Sequence, residues 1–85
     1  MDVTDYLEDA ISYAVDSAKN NALEILLEVT IDTEFSVLIE QDIAEGIAYS
    51  CGSNERAKDL LWDDYYEEIA SEVRTEFIDY LKSKL

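Results

Sequence analysis

The chain has 85 residues, 21 of them Asp or Glu and only 6 Lys or Arg, giving a formal charge of −15 at neutral pH. With no His and a single Cys, it lacks the ligands for a His/Cys zinc site, the imidazole base of a Ser or Cys nucleophile, and the second thiol of a disulfide. The scarcity of bases also argues against direct nucleic-acid binding, whose affinity comes from Lys and Arg neutralising phosphates.

A hydrophobic fraction of 48% beside a charged fraction of 32% is a globular balance, unlike that of an acidic disordered tail. Residues 1–85 read as one acidic helical domain. At this length the buried fraction of surface is small, and self-repulsion works against a compact body of such charge. Both considerations lead to the expectation of a homodimer. The opening MDVTDYLEDA has no basic stretch of the kind that begins a secretory signal, and the uncharged runs are far too short to span a bilayer. The expectation is a soluble, cytoplasmic protein with no membrane partner.

The first helix is predicted from about Thr4, as N-cap, to about Lys19. Leu7, Ala10, Ile11, Ala14 and Ala18 fall at helical spacing, and Asp5, Glu8 and Asp9 suit the positive end of the helix dipole. Asn20-Asn21 marks a break, and Asn21 with Glu24 has the spacing of a capping box for a second helix carrying Leu23, Ile25, Leu26, Leu27 and Val29. The middle supports two readings. Val29, Ile31, Thr33, Phe35, Val37 and Ile39 alternate as in a strand. Phe35, Leu38, Ile39, Ile43 and Ile47 also share one helical face, in a helix from Asp32 or Thr33 to a stop at Gly52. The helix is favoured, because no Asn-Gly or Asp-Gly turn separates two strands. From Ser53, as cap, a last helix is predicted to run to about Ser83, with Leu61, Tyr65, Ile69, Val73, Phe77 and Leu81 along one stripe. The expected fold is all-α: a small bundle of three to four helices with a long C-terminal helix. The alternative is α+β with a short hairpin in residues 24–40.

Charge is unevenly spread. Residues 1–52 hold 12 acids and one base, Lys19, whereas residues 53–85 hold 9 acids and 5 bases. Asp64, Glu68, Glu72 and Glu76 form an i+4 ladder with Asp59, Asp63 and Glu67 beside it, and Glu24, Glu28 and Asp32 repeat the device. Four helical residues rise about 6 Å, comparable with the separation of neighbouring phosphates on a DNA strand. Like charges at this spacing cost a helix about 0.2–0.5 kcal/mol per pair. An acidic run is ordinarily a solvated face, but repeated ladders with few interleaved lysines carry a cost that stability alone does not require. Calcium is disfavoured, since the spaced Asp/Asn loop with its central Gly is missing. No cofactor and no catalytic pair stands out. In Trp62-Asp63-Asp64-Tyr65-Tyr66 a straight helix cannot bury all three rings, so one ring is available for an Arg-rich surface or for packing under a loop or at an interface. Cys51 reads as a small structural thiol.

Residues 7–18, LEDAISYAVDSA, resemble the early helix of the phage "overcome classical restriction" (Ocr) family, and residues 59–68, DLLWDDYYEE, are similar to that family's Trp-containing acidic helix. The resemblance spans about a third of the chain, in common helix-forming residues. The Lys82-Ser83-Lys84-Leu85 end departs from the acidic tail of the family. The resemblance implies a dimeric, all-helical mimic of B-form DNA that occupies the DNA groove of type I restriction enzymes.

The electrostatics and the resemblance together lead to the expectation of a non-enzymatic DNA-mimic inhibitor whose partner is a basic DNA-binding protein, a restriction enzyme or other defence complex. Asp59, Asp63, Asp64, Glu67, Glu68, Glu72 and Glu76 are the first candidate contacts, followed by Glu24, Glu28 and Asp32. The alternative is a small acidic protein-binding module, such as an antitoxin or transcription regulator. An acyl-carrier role is weaker, because Asp16-Ser17-Ala18 lies inside the first helix and lacks the Leu of the Asp-Ser-Leu attachment motif.

Overall fold

Alanines spaced along the first segment bring a helix close to its neighbours, and the rest of the fold is built on that approach. The computed structural model describes residues 3–29 and 33–84, which form α1 (Val3–Asn20), α2 (Ala22–Glu28), α3 (Phe35–Leu38), α4 (Glu40–Cys51), α5 (Glu55–Asp64) and α6 (Tyr66–Lys84). The fold is an all-α bundle, with no strand among the described residues. It measures 40 × 26 × 17 Å. No described helix is long and apolar enough to cross a membrane.

α1 buries Leu7, Ala10, Ala14, Val15 and Ala18, and its largest contact is with α4. The two helices meet at Gly46. A Cβ there would lie 2.5 Å from the Ala10 carbonyl oxygen and 3.1 Å from the Ala14 Cβ. α6 closes the bundle against α1, with Ile69, Ala70, Val73 and Phe77 buried. The fully buried large side chains are Ile39, Ile43, Ile47, Leu61, Ile69, Val73 and Phe77, each contributing about 1.5–3 kcal/mol through burial.

Several boundaries differ from the sequence reading. Thr4 lies inside α1 rather than at its cap. Asn21 precedes α2 without capping it; its amide Nδ2 donates instead to Asp42 Oδ1 at 3.0 Å. Asn54, not Ser53, caps α5, its Oδ1 accepting from the Ala57 N–H at 3.1 Å. The predicted helix ending at Gly52 is interrupted at Ile39, which is wholly buried and serves as both C-cap of α3 and N-cap of α4. Its stop is as predicted: Gly52 has φ +57°, a conformation that costs a residue with Cβ. The hairpin alternative loses because α2 and α3 occupy its two arms and none of its described residues is in a strand, Phe35 packing on Phe77 at 5.5 Å between ring centroids.

The helix expected from Ser53 to Ser83 breaks at Tyr65, where φ is −120° and ψ 2°. Trp62, Tyr65 and Tyr66 stand at i, i+3 and i+4, a spacing that brings side chains to one side of a helix, contrary to the expectation that all three rings could not be buried together. Trp62, Tyr65 and Tyr66 all pack against the core as half-buried rings. Trp62 stacks on Tyr66 at 5.3 Å, and the Tyr66 hydroxyl donates to the Ser36 carbonyl at 2.9 Å.

Candidate acidic interface

The row Glu68, Glu72 and Glu76 of α6 lies about 100° around the helix from the buried row Ile69, Val73 and Phe77, because residues at i+4 share a face and each acid immediately precedes an apolar residue. Glu67, Glu68, Glu72 and Glu76 are all exposed. Asp59, Asp63 and Asp64 are exposed on α5, and Glu24 and Glu28 on α2. Asp32 lies outside the described residues. The break at Tyr65 divides the expected ladder: Glu68, Glu72 and Glu76 remain one row on α6, while Asp64 ends α5 and belongs with Asp59 and Asp63.

These carboxylates receive little neutralisation from the chain itself. The one ion pair between described residues joins Lys58 to Glu55 at 3.4 Å. Lys19 and Lys84 both lie 5.5 Å from the ring centre of Tyr80, a cation–π arrangement that gathers two of the few bases near the C-terminal end of α6. No group of three or more metal-ligating side chains among the described residues is arranged to hold a cation.

The face formed by α2 and α4 carries features that the sequence reading missed. Asp42 is the buried charged residue of the described core, only 5% exposed. The Ser17 hydroxyl donates to its Oδ1 at 2.6 Å and lies 3.2 Å from Glu45 Oε2. Spacing held the clue: Asp42 lies one residue before Ile43, on the edge of the apolar stripe of α4. Tyr13 and Tyr49, 48% and 72% exposed, touch across α1 and α4 with ring centroids 5.6 Å apart. They, rather than Trp62 or Tyr66, are the exposed aromatic pair. The outer side of α2 exposes Leu23, Leu26 and Leu27 beside Glu24 and Glu28.

Burial raises the Tyr66 phenol pKa above its ordinary value near 10, and the charges of Glu40 and Glu67 raise it further. Ser17 sits in the last turn of α1, its hydroxyl donating to the Asp42 carboxylate. Comparison of the chain with protein-family models, with curated proteins and with solved structures finds no match.

Proposed function

We propose that the protein is a DNA-mimic inhibitor, of the phage type, that occupies the DNA-binding channel of a host defence protein and presents carboxylates in place of phosphates. The observation that carries this reading is the exposure of all nine described candidate acids, Glu24, Glu28, Asp59, Asp63, Asp64, Glu67, Glu68, Glu72 and Glu76, with almost no pairing to the chain's own bases. The long dimension of 40 Å is the length of about 12 base pairs of duplex at roughly 3.4 Å each. Opposite fields would steer association, so binding weakens steeply with salt. In this reading the chain works as a homodimer, which sedimentation tests directly.

A pull-down from host lysate at low salt, with duplex DNA as competitor, tests the proposal. Capture of a nuclease or restriction complex that duplex DNA displaces supports it. Capture of a basic protein indifferent to DNA rejects it in favour of an acidic protein-binding module. One observation favours that second reading: Leu23, Leu26 and Leu27 are 71%, 48% and 77% exposed on α2, and an apolar stripe has no counterpart in a phosphate backbone.

A further inference from the structure

We infer that the concavity between α1 and α4 at Tyr13 and Tyr49 is a binding site for an arginine guanidinium of a partner protein. The concavity is open, about 400 Å³ in volume, and lined by Tyr13, Asp16, Ser17, Glu45 and Tyr49 together with the amides of Asn20 and Asn21. Its lining holds no basic side chain. The site deepens the proposed function and rests on it only for the identity of the protein that supplies the arginine.

Helical spacing assembles the site. Tyr13 and Asp16 are three residues apart on α1, and Glu45 and Tyr49 four apart on α4, so each helix contributes one ring and one carboxylate to a common face. The close approach at Gly46 brings the two faces together, and the rings meet at 40°. Glu45 Oε2 lies 3.2 Å from the Ser17 hydroxyl, whose one proton goes to Asp42. Because the rings touch each other, a cation cannot lie between them; it lies over the open face of Tyr49, within reach of the carboxylate rim.

This geometry selects guanidinium over other cations. A planar guanidinium stacks on a ring and directs paired N–H donors at carboxylate oxygens in its own plane. A lysine ammonium is a compact, strongly hydrated point charge that gains less from the ring. A trimethylammonium group has no N–H to offer Asp16 or Glu45. A phosphate-replacing face alone requires no aromatic rings, so the site adds to the ladders a contact that discriminates among basic surfaces.

The test is NMR titration of the full chain, following the Tyr13 and Tyr49 ring resonances, with the acetylated and amidated peptides Gly-Arg-Gly and Gly-Lys-Gly as probes. The arginine peptide should shift both rings saturably and bind about two- to fivefold more tightly than the lysine peptide, as expected for a solvent-exposed cation–π contact. Tyr49→Leu should remove that preference and Glu45→Gln should weaken arginine binding, while Asp5→Asn in the first turn of α1 should leave both unchanged. Equal affinity for the two peptides, absence of saturable ring shifts, or an unaltered preference in a folded Tyr49→Leu variant would overturn the inference. Neither target nor DNA is present, so the DNA-competition result and this one can fail separately.

Discussion

The Ser17 hydroxyl of α1 donates to Oδ1 of Asp42 on α4 at 2.6 Å, and the same oxygen accepts from Asn21 Nδ2 at 3.0 Å. In a chain whose other described acids face water, this carboxylate is buried, with two neutral donors compensating its desolvation. Hydrogen bonds to a charged group contribute about 1.5–3 kcal/mol each, and a donor left without a partner adds to the loss. Asp42→Ala should therefore lower unfolding free energy by about 2–3 kcal/mol, measured by urea titration. Asp42→Asn should lose less, since its amide oxygen still accepts. Equal losses for the two variants would show that packing around residue 42, rather than the acceptor, sets the stability.

Gly46 makes a prediction opposite to helix propensity. In an exposed helix interior, Gly→Ala stabilises by about 0.8–1.0 kcal/mol. Here the new Cβ would meet the Ala10 carbonyl oxygen at 2.5 Å, and backbone on both sides leaves no flexible side chain to yield. Overpacking of this kind costs about 1–3 kcal/mol. Gly46→Ala should lower the melting temperature, whereas Gly46→Ala in a loosely packed α1–α4 pair would raise it. Differential scanning calorimetry decides the sign.

Tyr66 links stability to alkaline pH. Its pKa is raised in the folded state, so the native protein holds the phenolic proton more tightly than the unfolded chain. The stabilisation is complete below the unfolded value near 10 and is lost as pH rises through the folded pKa. Tyr66→Phe should lose about 1 kcal/mol at neutral pH with the hydrogen bond to Ser36, and should show a shallower decline above pH ~10. Urea titrations at a series of pH values from neutral upward measure both. A decline as steep as in the parent would assign alkaline sensitivity to other groups.

Much of the fold was legible because the helical stripes of Leu7 to Ala18 and Leu61 to Leu81 admit one burial pattern. The interruptions were not. The helices break at Tyr65, a half-buried ring, and at Ile39, a wholly buried side chain joining α3 to α4, and neither position carries Gly or Pro as a local signal. The candidate acids were legible as exposed residues because they alternate with apolar positions. Asp42, Glu45, Tyr13 and Tyr49 come together only across the α1–α4 contact, between residues 25 to 36 positions apart, a distance over which helical periodicity carries no information.

The acidic ladder of α6 yields a prediction in which stability and binding move in opposite directions. Glu68, Glu72 and Glu76 repel one another at i+4, and no described ion pair relieves them. Glu72→Lys replaces two repulsive pairs with two attractive ones, each replacement removing about 0.2–0.5 kcal/mol of repulsion and adding a comparable attraction. The variant should be more stable by about 0.8–2 kcal/mol at low ionic strength, with the gain fading as salt screens it. If the row meets a partner's basic channel, affinity for that partner should fall in the same variant, and most at low salt. Stability from urea titration and affinity from calorimetry on the captured complex give the two readouts. A rise in stability with affinity unchanged would leave this row a solvated helix face and move the interface to α2 or to the Tyr13–Tyr49 side. A fall in both would mean that Glu72 supports the fold through contacts other than its charge.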